Sequence, residues 1–300
     1  MKAKFVNTAS LVFIGCIIVL LLVTSYMDLQ HSNTPEHFVS EGLIDLSEIK
    51  DIKQPIKLDG EWTFYESQLI DYAELLDESK KTIVKVPDKW NSYIATRQEP
   101  KSFGYGTFHL RIKLSDAQMK QVVGFKIQNI GMSNKVIVNG QVISSSGKTG
   151  TNSKNYEIGN VPNYVFFSPE HSELDVLIQV TNFDYSPYSG IVSSILFGPQ
   201  EAIEKAKISA YGYEFFFLGA STVIGLLFFV LYLFRSNEKY LLYFSLYSLT
   251  GAFYILTHGE KIWFHIFEGF DYLLFTKLQY LSAALSTLGC RRSICHAGGV

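Results

Sequence analysis

The strongest constraint on the fold is an uncharged stretch in the C-terminal third of the chain. Phe215–Phe234 contains 20 residues without a charge, with Tyr211 before it and Arg235 directly after it. A helix of about 20 residues is about 30 Å long, which matches the hydrocarbon core of a bilayer. Tyrosine and arginine are typical of membrane–water interfaces. The stretch therefore predicts a transmembrane helix over residues 211–235.

Two further stretches of low charge follow the first. Residues 240–257 contain no charge, and residues 272–289 are interrupted only by Lys277. We predict a second and a third transmembrane helix over these ranges. Lys277 then either snorkels to the outer interface or faces the interior of a helix bundle.

The N-terminus is another hydrophobic segment, with a basic end. Lys2 and Lys4 precede Phe5–Met27, which carries no charge. Two interpretations stay open for residues 1–27: an uncleaved signal anchor, or a signal peptide cut after Ser25. Both place the following residues outside the cytoplasm, because the basic end of such a segment stays inside.

Charges around the predicted helices agree with this topology. The loop His258–Asp271 carries one lysine against three acidic residues. The predicted inner side carries six basic residues: Lys2, Lys4, Arg235, Lys239, Arg291 and Arg292. We therefore predict a multi-pass protein of the cell membrane with residues 28–210 on its extracytoplasmic side.

Residues 42–200 have the pattern of an all-β domain. In Thr107–Leu114 apolar and polar side chains alternate, as in a half-buried strand. Val136–Ile143 contains Asn139-Gly140, a pair that accepts the positive φ angles of a type I′ hairpin turn. The pattern also predicts strands over Ile56–Tyr65, Ile83–Pro87, Val122–Ile130, Leu174–Asn182 and Ile191–Phe197, and a short helix over Leu69–Lys80. Several short strands with few helices predict a β-sandwich.

Three segments flank these domains. Residues 28–41 are polar and are predicted to be a linker, and residues 201–210 are predicted to connect the sandwich to the first transmembrane helix. Residues 290–300 show neither helical periodicity nor a cap, so the last predicted helix stops at residue 289. We interpret this segment as an aberrant cytoplasmic tail and the chain as a truncated version of a longer protein.

Charge and cysteine content exclude several classes of protein. The net charge of −2 gives no field that would favour nucleic acid. The three cysteines, Cys16, Cys290 and Cys295, lie outside residues 28–207. This domain of about 180 residues therefore contains no internal disulfide and must be stabilised by its own core. Cys290, Cys295 and His296 make at most half of a metal site, and neither a metal nor another cofactor is predicted.

An ordered set of short motifs supports a family resemblance. The set comprises Gly42–Leu46, Leu58–Trp62 with Phe64-Tyr65, Val86-Pro87, Trp90-Asn91, Gly104–Phe108, Val138–Gly140, Gly147-Lys148, Val180–Asn182 and Gly190-Ile191. Their order resembles the extracellular jelly-roll module of bacterial seven-transmembrane receptors with diverse intracellular signalling modules. It is also similar to the non-catalytic, galactose-binding-like domain of β-galactosidase-type glycosidases.

The resemblance implies a galactose-binding-like jelly roll followed by an α-helical transmembrane bundle. Family members sense a ligand outside the cytoplasm and usually continue into a histidine kinase of a two-component system or a diguanylate cyclase. This chain holds about three of the seven helices and no output module. The expected function is therefore the ligand-sensing, membrane-spanning N-terminal part of such a receptor, which is not an enzyme as it stands. The expected partners are a small molecule, with carbohydrate as one class, and the lipid bilayer, and a homodimer is a further candidate.

Six residues are candidates for binding the ligand, and each has a structural alternative. Trp90 offers an aromatic face for a sugar ring, yet a tryptophan in a sandwich is typical of the core. Tyr105 lies between two glycines, which also suits a turn. The loop from residue 182 to residue 190 contributes four of the six candidates: Asn182, Asp184, Tyr185 and Tyr188. Such a loop at the end of a sandwich is a common place for recognition, or it is simply solvated.

Hydrolysis is not expected, because it needs two carboxylates that flank one glycosidic bond and the spacing predicts no such pair. A second hypothesis belongs to another class. A membrane-anchored surface protein could bind carbohydrate or a partner protein without signalling. A single anchor suffices for that role, so three hydrophobic segments after the sandwich favour the receptor.

Overall fold

The structure is a computed structural model that describes residues 39–49, 51–75, 81–92, 102–185, 187 and 189–297. The predicted signal segment 1–27 and nearly all of the linker 28–41 lie outside the described residues. They stay predictions.

Thirteen strands occupy the first two thirds of the described chain. They are β1 (Leu43–Asp45), β2 (Ile56–Lys57), β3 (Gly60–Glu66), β4 (Lys81–Val86), β5 (Gly104–Lys113), β6 (Val123–Ile127), β7 (Ile130–Gly131), β8 (Ser133–Val138), β9 (Gln141–Ser146), β10 (Asn163–Phe167), β11 (Glu173–Asn182), β12 (Gly190–Ile191) and β13 (Leu196–Pro199). Two 3-10 turns, Tyr72–Glu74 and Trp90–Ser92, lie between them.

A seven-stranded sheet is organised around β5. The order is β4-β3-β5-β11-β8-β9, and β1 also pairs with β5, in parallel. Strand β11 runs antiparallel to β5 over its full length, from Glu173 opposite Lys113 to Asn182 opposite Gly104. One edge of β5 is shared between β3 and β1, so this strand is paired on both sides and lies in the middle of the sheet.

A second sheet of four strands, in the order β10-β6-β13-β2, packs against the first. Phe108, Leu110 and Ile112 of β5 are fully buried in one hydrophobic core with Phe125 and Phe197 of the second sheet. Apolar side chains from two facing sheets that share one core define a β-sandwich. The described residues therefore confirm a mostly β N-terminal region with a sandwich architecture.

The two clearest sequence patterns are confirmed. The apolar set of Thr107–Leu114 is buried, while Arg111 on the opposite face is exposed. Strands β8 and β9 form a hairpin in which Asn139 and Gly140 have φ angles of 46° and 84°. Alternation and turn chemistry act locally, so they can be recognised in the sequence.

Other predicted elements need correction. The predicted strand Ile191–Phe197 is two strands, β12 and β13, in different sheets, because the chain crosses between sheets there. The predicted helix Leu69–Lys80 is a 3-10 turn at Tyr72–Glu74 within its described part. Strand β10 has no counterpart among the predictions, since every residue in it is half-buried and none alternates clearly.

The C-terminal third is helical. It contains α2 (Gln200–Phe234), α3 (Lys239–Thr257), the short α4 (Trp263–Ile266) and α5 (Tyr272–Ala297), whereas α1 (Asp116–Met119) lies in the sandwich. The predicted connector 201–210 is not a separate element, because α2 begins directly after β13 and continues without a break. The predicted helix end at residue 289 is also wrong, since α5 extends to Ala297.

Two of these helices, α2 and α3, are long and apolar enough to cross a membrane. In its most apolar 18-residue window α2 has 6% of its residues buried, and α3 has 28%. A core helix of a soluble protein, by contrast, is mostly buried. The third predicted span, 272–289, lies within α5, but Lys277 and Gln279 leave it less apolar than the other two.

Replacement of Leu110 by alanine tests the position of the core. Leu110 is fully buried in β5, so we expect Leu110→Ala to lower the free energy of unfolding by about 2–5 kcal/mol. The exposed Val142 is the control, and Val142→Ala should change it by less than about 0.5 kcal/mol. Urea unfolding of the full chain in detergent measures both changes, followed by tryptophan emission in a Trp263→Phe background so that the signal comes from the buried Trp62 and Trp90. Equal effects of the two changes would contradict the assigned core.

Candidate functional site

Two of the predicted ligand-binding residues are structural. Trp90 is fully buried and packs edge-on against Phe64 and Phe108, with ring centroids 5.6 and 6.5 Å away. It therefore offers no face to a ligand, which corrects the prediction. Trp62 is also fully buried and donates a hydrogen bond from Nε1 to the carbonyl of Leu58.

Asn182 is the second residue whose predicted role is wrong. Its fully buried side chain donates from Nδ2 to the carbonyls of Ser102 and Tyr185, at 3.0 and 2.7 Å. Its Oδ1 accepts hydrogen bonds from the backbone amides of Asp184 and Tyr185, at 3.2 and 2.9 Å. All of this hydrogen-bonding capacity shapes the loop, so none remains for a ligand.

The remaining candidates differ in their surroundings, and their predicted role in binding stays a prediction. Asp184 is exposed, Tyr105 is half-buried at the start of β5, and Tyr188 lies outside the described residues. Burial, together with the nearby Asp184 carboxylate, raises the pKa of Tyr156. Tyr185 is the informative case, because its hydroxyl contacts the hydroxyl of Tyr280 on α5. The predicted binding loop thus touches the helical region.

A buried polar cluster, the sandwich–helix junction, lies where the small sheet meets the helices. The carboxylate of Glu260, in the loop after α3, is 1% exposed. Its Oε1 accepts hydrogen bonds from Lys126 Nζ and Gln128 Nε2, each at 2.7 Å, and its Oε2 accepts one from Tyr164 OH at 2.8 Å. The backbone amide of Glu260 donates to Glu214 Oε1 of α2 at 2.6 Å. The junction is defined as these five residues.

The strand register explains why the sandwich side of the junction converges. Lys126 of β6 and Tyr164 of β10 are direct cross-strand partners, so their side chains lie on the same face of the small sheet. Lys126 Nζ also lies 5.3 Å from the centre of the Tyr164 ring, and Lys207 of α2 approaches that ring at 5.1 Å. Burial and the Glu260 carboxylate raise the pKa of Tyr164, so this hydroxyl stays protonated and donates.

Lys261 makes a second contact between the two regions. Its ammonium group donates to the backbone carbonyl of Asn160 in the sandwich and, at 2.9 Å, to the hydroxyl of Tyr272 on α5. The side chain is almost fully enclosed, and this burial lowers the pKa of Lys261 to about 7. Adjacent residues of one short loop thus contact the sandwich in different ways: Glu260 through a charge pair with Lys126, and Lys261 through a backbone carbonyl.

A separate groove lies on the outer face of the large sheet. It has a volume of about 650 Å³, and His109 and Arg111 of β5 line it together with Asp175 of β11. Asp175 Oδ1 accepts from His109 Nε2 at 2.8 Å and from Arg111 Nε at 3.3 Å, and these hydrogen bonds and charges lower the pKa of Asp175. The polar face of Thr107–Leu114 was the sequence signal for this groove.

Similar solved structures are carbohydrate-active enzymes. The β-glucuronidase of Ruminococcus gnavus aligns with 48% of this chain and 28% of its own, at 17% identity and a TM-score of 0.35. A calcium-binding mutant of Bacteroides uniformis β-glucuronidase 2 aligns with 48% of this chain and 18% of its own, at 16% identity and a TM-score of 0.38. This chain thus spans less than a third of the length of either enzyme.

No protein-family model matches the chain, and no curated protein matches it. Neither of the two alignments extends over half of this chain.

Replacement of Lys126 tests whether Lys126 and Glu260 form a buried charge pair in the junction. Lys126→Met leaves the Glu260 carboxylate buried without its cation, so we expect the free energy of unfolding to fall by about 3–5 kcal/mol. The double variant Lys126→Met/Glu260→Met removes both charges and should recover a large part of this loss. Urea unfolding in detergent measures both variants. A double variant as unstable as the single one would contradict the pairing.

Proposed function

We propose that this chain is the ligand-sensing, membrane-spanning N-terminal part of a bacterial signal-transduction receptor. In this proposal the sandwich is a galactose-binding-like jelly roll on the extracytoplasmic side, and α2, α3 and α5 are membrane helices of a multi-pass protein. The chain itself catalyses no reaction, and a kinase or cyclase supplies the output. The ligand is a small molecule, with carbohydrate as the leading class.

The observation that carries the proposal is the sandwich–helix junction. A domain that is only anchored needs no fixed contact with its anchor beyond the chain connection. Here Lys126, Gln128 and Tyr164 of the sandwich enclose the carboxylate of Glu260, which lies in the loop between α3 and α4. A buried charge pair tolerates little displacement, because separation leaves a charge without its partner. A shift of the small sheet is therefore transmitted to the loop.

The helix pair α2 and α3 is built for a close and specific contact. The Ser245 hydroxyl donates to the carbonyl of Gly225 at 2.8 Å, and a side chain at Gly225 would collide with Leu249. Phe228 and Phe244 pack with ring centroids 4.4 Å apart. Small residues and interhelical hydrogen bonds are typical of helices that associate within a membrane. A ligand that favours one arrangement of the sandwich would bias this packing by its differential affinity for the two states.

The alternative function is that of a membrane-anchored surface protein that binds carbohydrate or a partner without signalling. The groove on the outer face of the large sheet favours it, because every residue in its lining belongs to the sandwich. A ligand in that groove would make no contact with the helices. The two functions differ in whether a change in the sandwich reaches α2 and α3.

Disulfide crosslinking between α2 and α3 distinguishes the two functions without a known ligand. Phe228→Cys and Phe244→Cys form the pair, in a background with serine in place of Cys16, Cys290 and Cys295, reconstituted in lipid nanodiscs. We expect Lys126→Met, a substitution on the sandwich side of the junction, to alter the crosslinking rate by about fivefold or more. Gln128→Leu, which removes one hydrogen bond to Glu260, should alter the rate in the same direction and less.

Lys113→Met is the matched control, since it removes a half-exposed lysine that lines the outer groove. Its crosslinking rate should equal that of the parent. Tryptophan emission verifies that each variant is folded. If the crosslinking rates of folded Lys126→Met and Gln128→Leu equal that of the parent, the proposed sensor function is overturned and the function of an anchored binding protein is favoured.

A further inference from the structure

A second cavity lies between the sandwich and the helices, beside the junction. Its volume is about 280 Å³. Asn129 and Tyr185 line it from the sandwich, and His258, Lys261, Gln279 and Tyr280 line it from the helical region. This volume lies just below the range of about 300–1,000 Å³ that is typical of ligand pockets, so the cavity suits only a small molecule such as a monosaccharide or a hydroxy acid. Any occupant would contact both regions at once.

The lining of this junction cavity is fixed by its own hydrogen bonds. Gln279 Nε2 donates to the carbonyl of Thr257 at 2.9 Å and lies 3.0 Å from the His258 ring. The His258 ring stacks on Tyr254, with centroids 3.5 Å apart. These contacts tie α5 to the end of α3, so the cavity has preorganised walls.

Lys261 is the group in this wall with the most to gain from a ligand. Lys261 is only 5% exposed, and an ammonium group has three N–H donors. Among the described residues two acceptors are in place, the Asn160 carbonyl and the Tyr272 hydroxyl. Neither carries a negative charge, so the ammonium group has no counter-ion there.

None of the residues that line the junction cavity is acidic. Glu214 Oε1 lies against Gly259 of the wall, where it accepts a hydrogen bond from the backbone amide of Glu260, but Glu214 is not part of the lining of this cavity. The nearest carboxylate in sequence, Glu260, is enclosed by Lys126, Gln128 and Tyr164 on the sandwich side. The other lining groups are hydroxyls, amides and an imidazole, which suit the hydroxyl groups of a ligand.

We infer that the junction cavity binds a small hydroxylated carboxylate, with the carboxylate paired to Lys261 and the hydroxyls bound by Tyr185, Gln279 and Tyr280. This inference deepens the proposed function and rests on it, since it names the chemical class of the sensed molecule and its place. The Tyr185–Tyr280 contact, which joins the two regions, lies in the wall of the cavity. Binding there acts directly on the contact between sandwich and helices.

Matched pairs of acid and neutral compound test the inference. The probes are glucuronate with glucose, galacturonate with galactose, and lactate with propane-1,2-diol. Ligand-observed NMR titration of the full chain in phosphatidylcholine nanodiscs, which carry no lipid carboxylate, gives each dissociation constant. We expect at least one acid to bind about 30-fold or more tightly than its neutral counterpart. The absence of any such preference would overturn the inference.

Two variants place the preference in the junction cavity. Lys261→Met should remove it, because the variant keeps the length of the side chain and loses the charge. Asn129→Asp introduces a carboxylate into the wall with almost no change of shape. It should therefore weaken binding of the acid by charge repulsion and leave binding of the neutral compound unchanged. Lys113→Met, in the separate outer groove, is the control and should leave the preference intact. If one of the two cavity variants fails to fold, the other decides the test, and an acid preference that survives unchanged in a folded cavity variant would overturn the inference.

Crosslinking of the Phe228→Cys/Phe244→Cys pair with and without the bound acid separates this inference from the proposed function. If the acid binds at Lys261 and the crosslinking rate does not change, the result supports the binding site in the junction cavity and contradicts the proposed sensor function. A response to Lys126→Met without any acid preference would support the sensor and contradict the site.

Discussion

The buried carboxylate of Glu260 is the interaction on which the arrangement of this protein depends. A charge in that position is tolerated only when it is paired and its lone pairs are satisfied. Lys126, Gln128 and Tyr164 meet both conditions, and all three come from the small sheet or the residue that follows β6. If the sandwich and the loop after α3 separated, the Glu260 carboxylate would either become exposed to solvent or stay buried without its cation. This requirement makes the sheet and the helical region one mechanical unit.

The chain connection reinforces the same unit from another direction. Strand β13 pairs with β6, the strand that carries Lys126, and α2 begins directly after β13. The small sheet is thus attached to α2 by a continuous backbone and to the loop after α3 by the Glu260 carboxylate. Two attachment points on one sheet restrain rotation as well as separation, which a flexible connector over residues 201–210 would not do.

Local sequence rules predicted the parts of the fold that local physics determines. The alternation in Thr107–Leu114 placed Phe108, Leu110 and Ile112 in the core, and Asn139-Gly140 located a hairpin. The same rules could not separate β12 from β13, because the change of sheet depends on distant partners. The junction was beyond their reach for the same reason: Lys126 and Glu260 are 134 residues apart. A single lysine within the apolar strand Val123–Ile127 is a local signal of it, but it does not indicate the partner. Trp90 and Asn182 show the converse error, since residue types that suit a ligand serve packing and loop geometry here.

A ligand site between two regions has a different consequence from one on a single region. An occupant of the outer groove contacts the sandwich alone, so none of its contacts changes directly when the helices move. An occupant of the junction cavity touches Tyr185 on one side and Gln279 on the other, and its affinity must change when these walls move. Only differential affinity can shift a conformational equilibrium. The cavity beside Glu260 is therefore the place where binding and the packing of α2 and α3 can be thermodynamically linked.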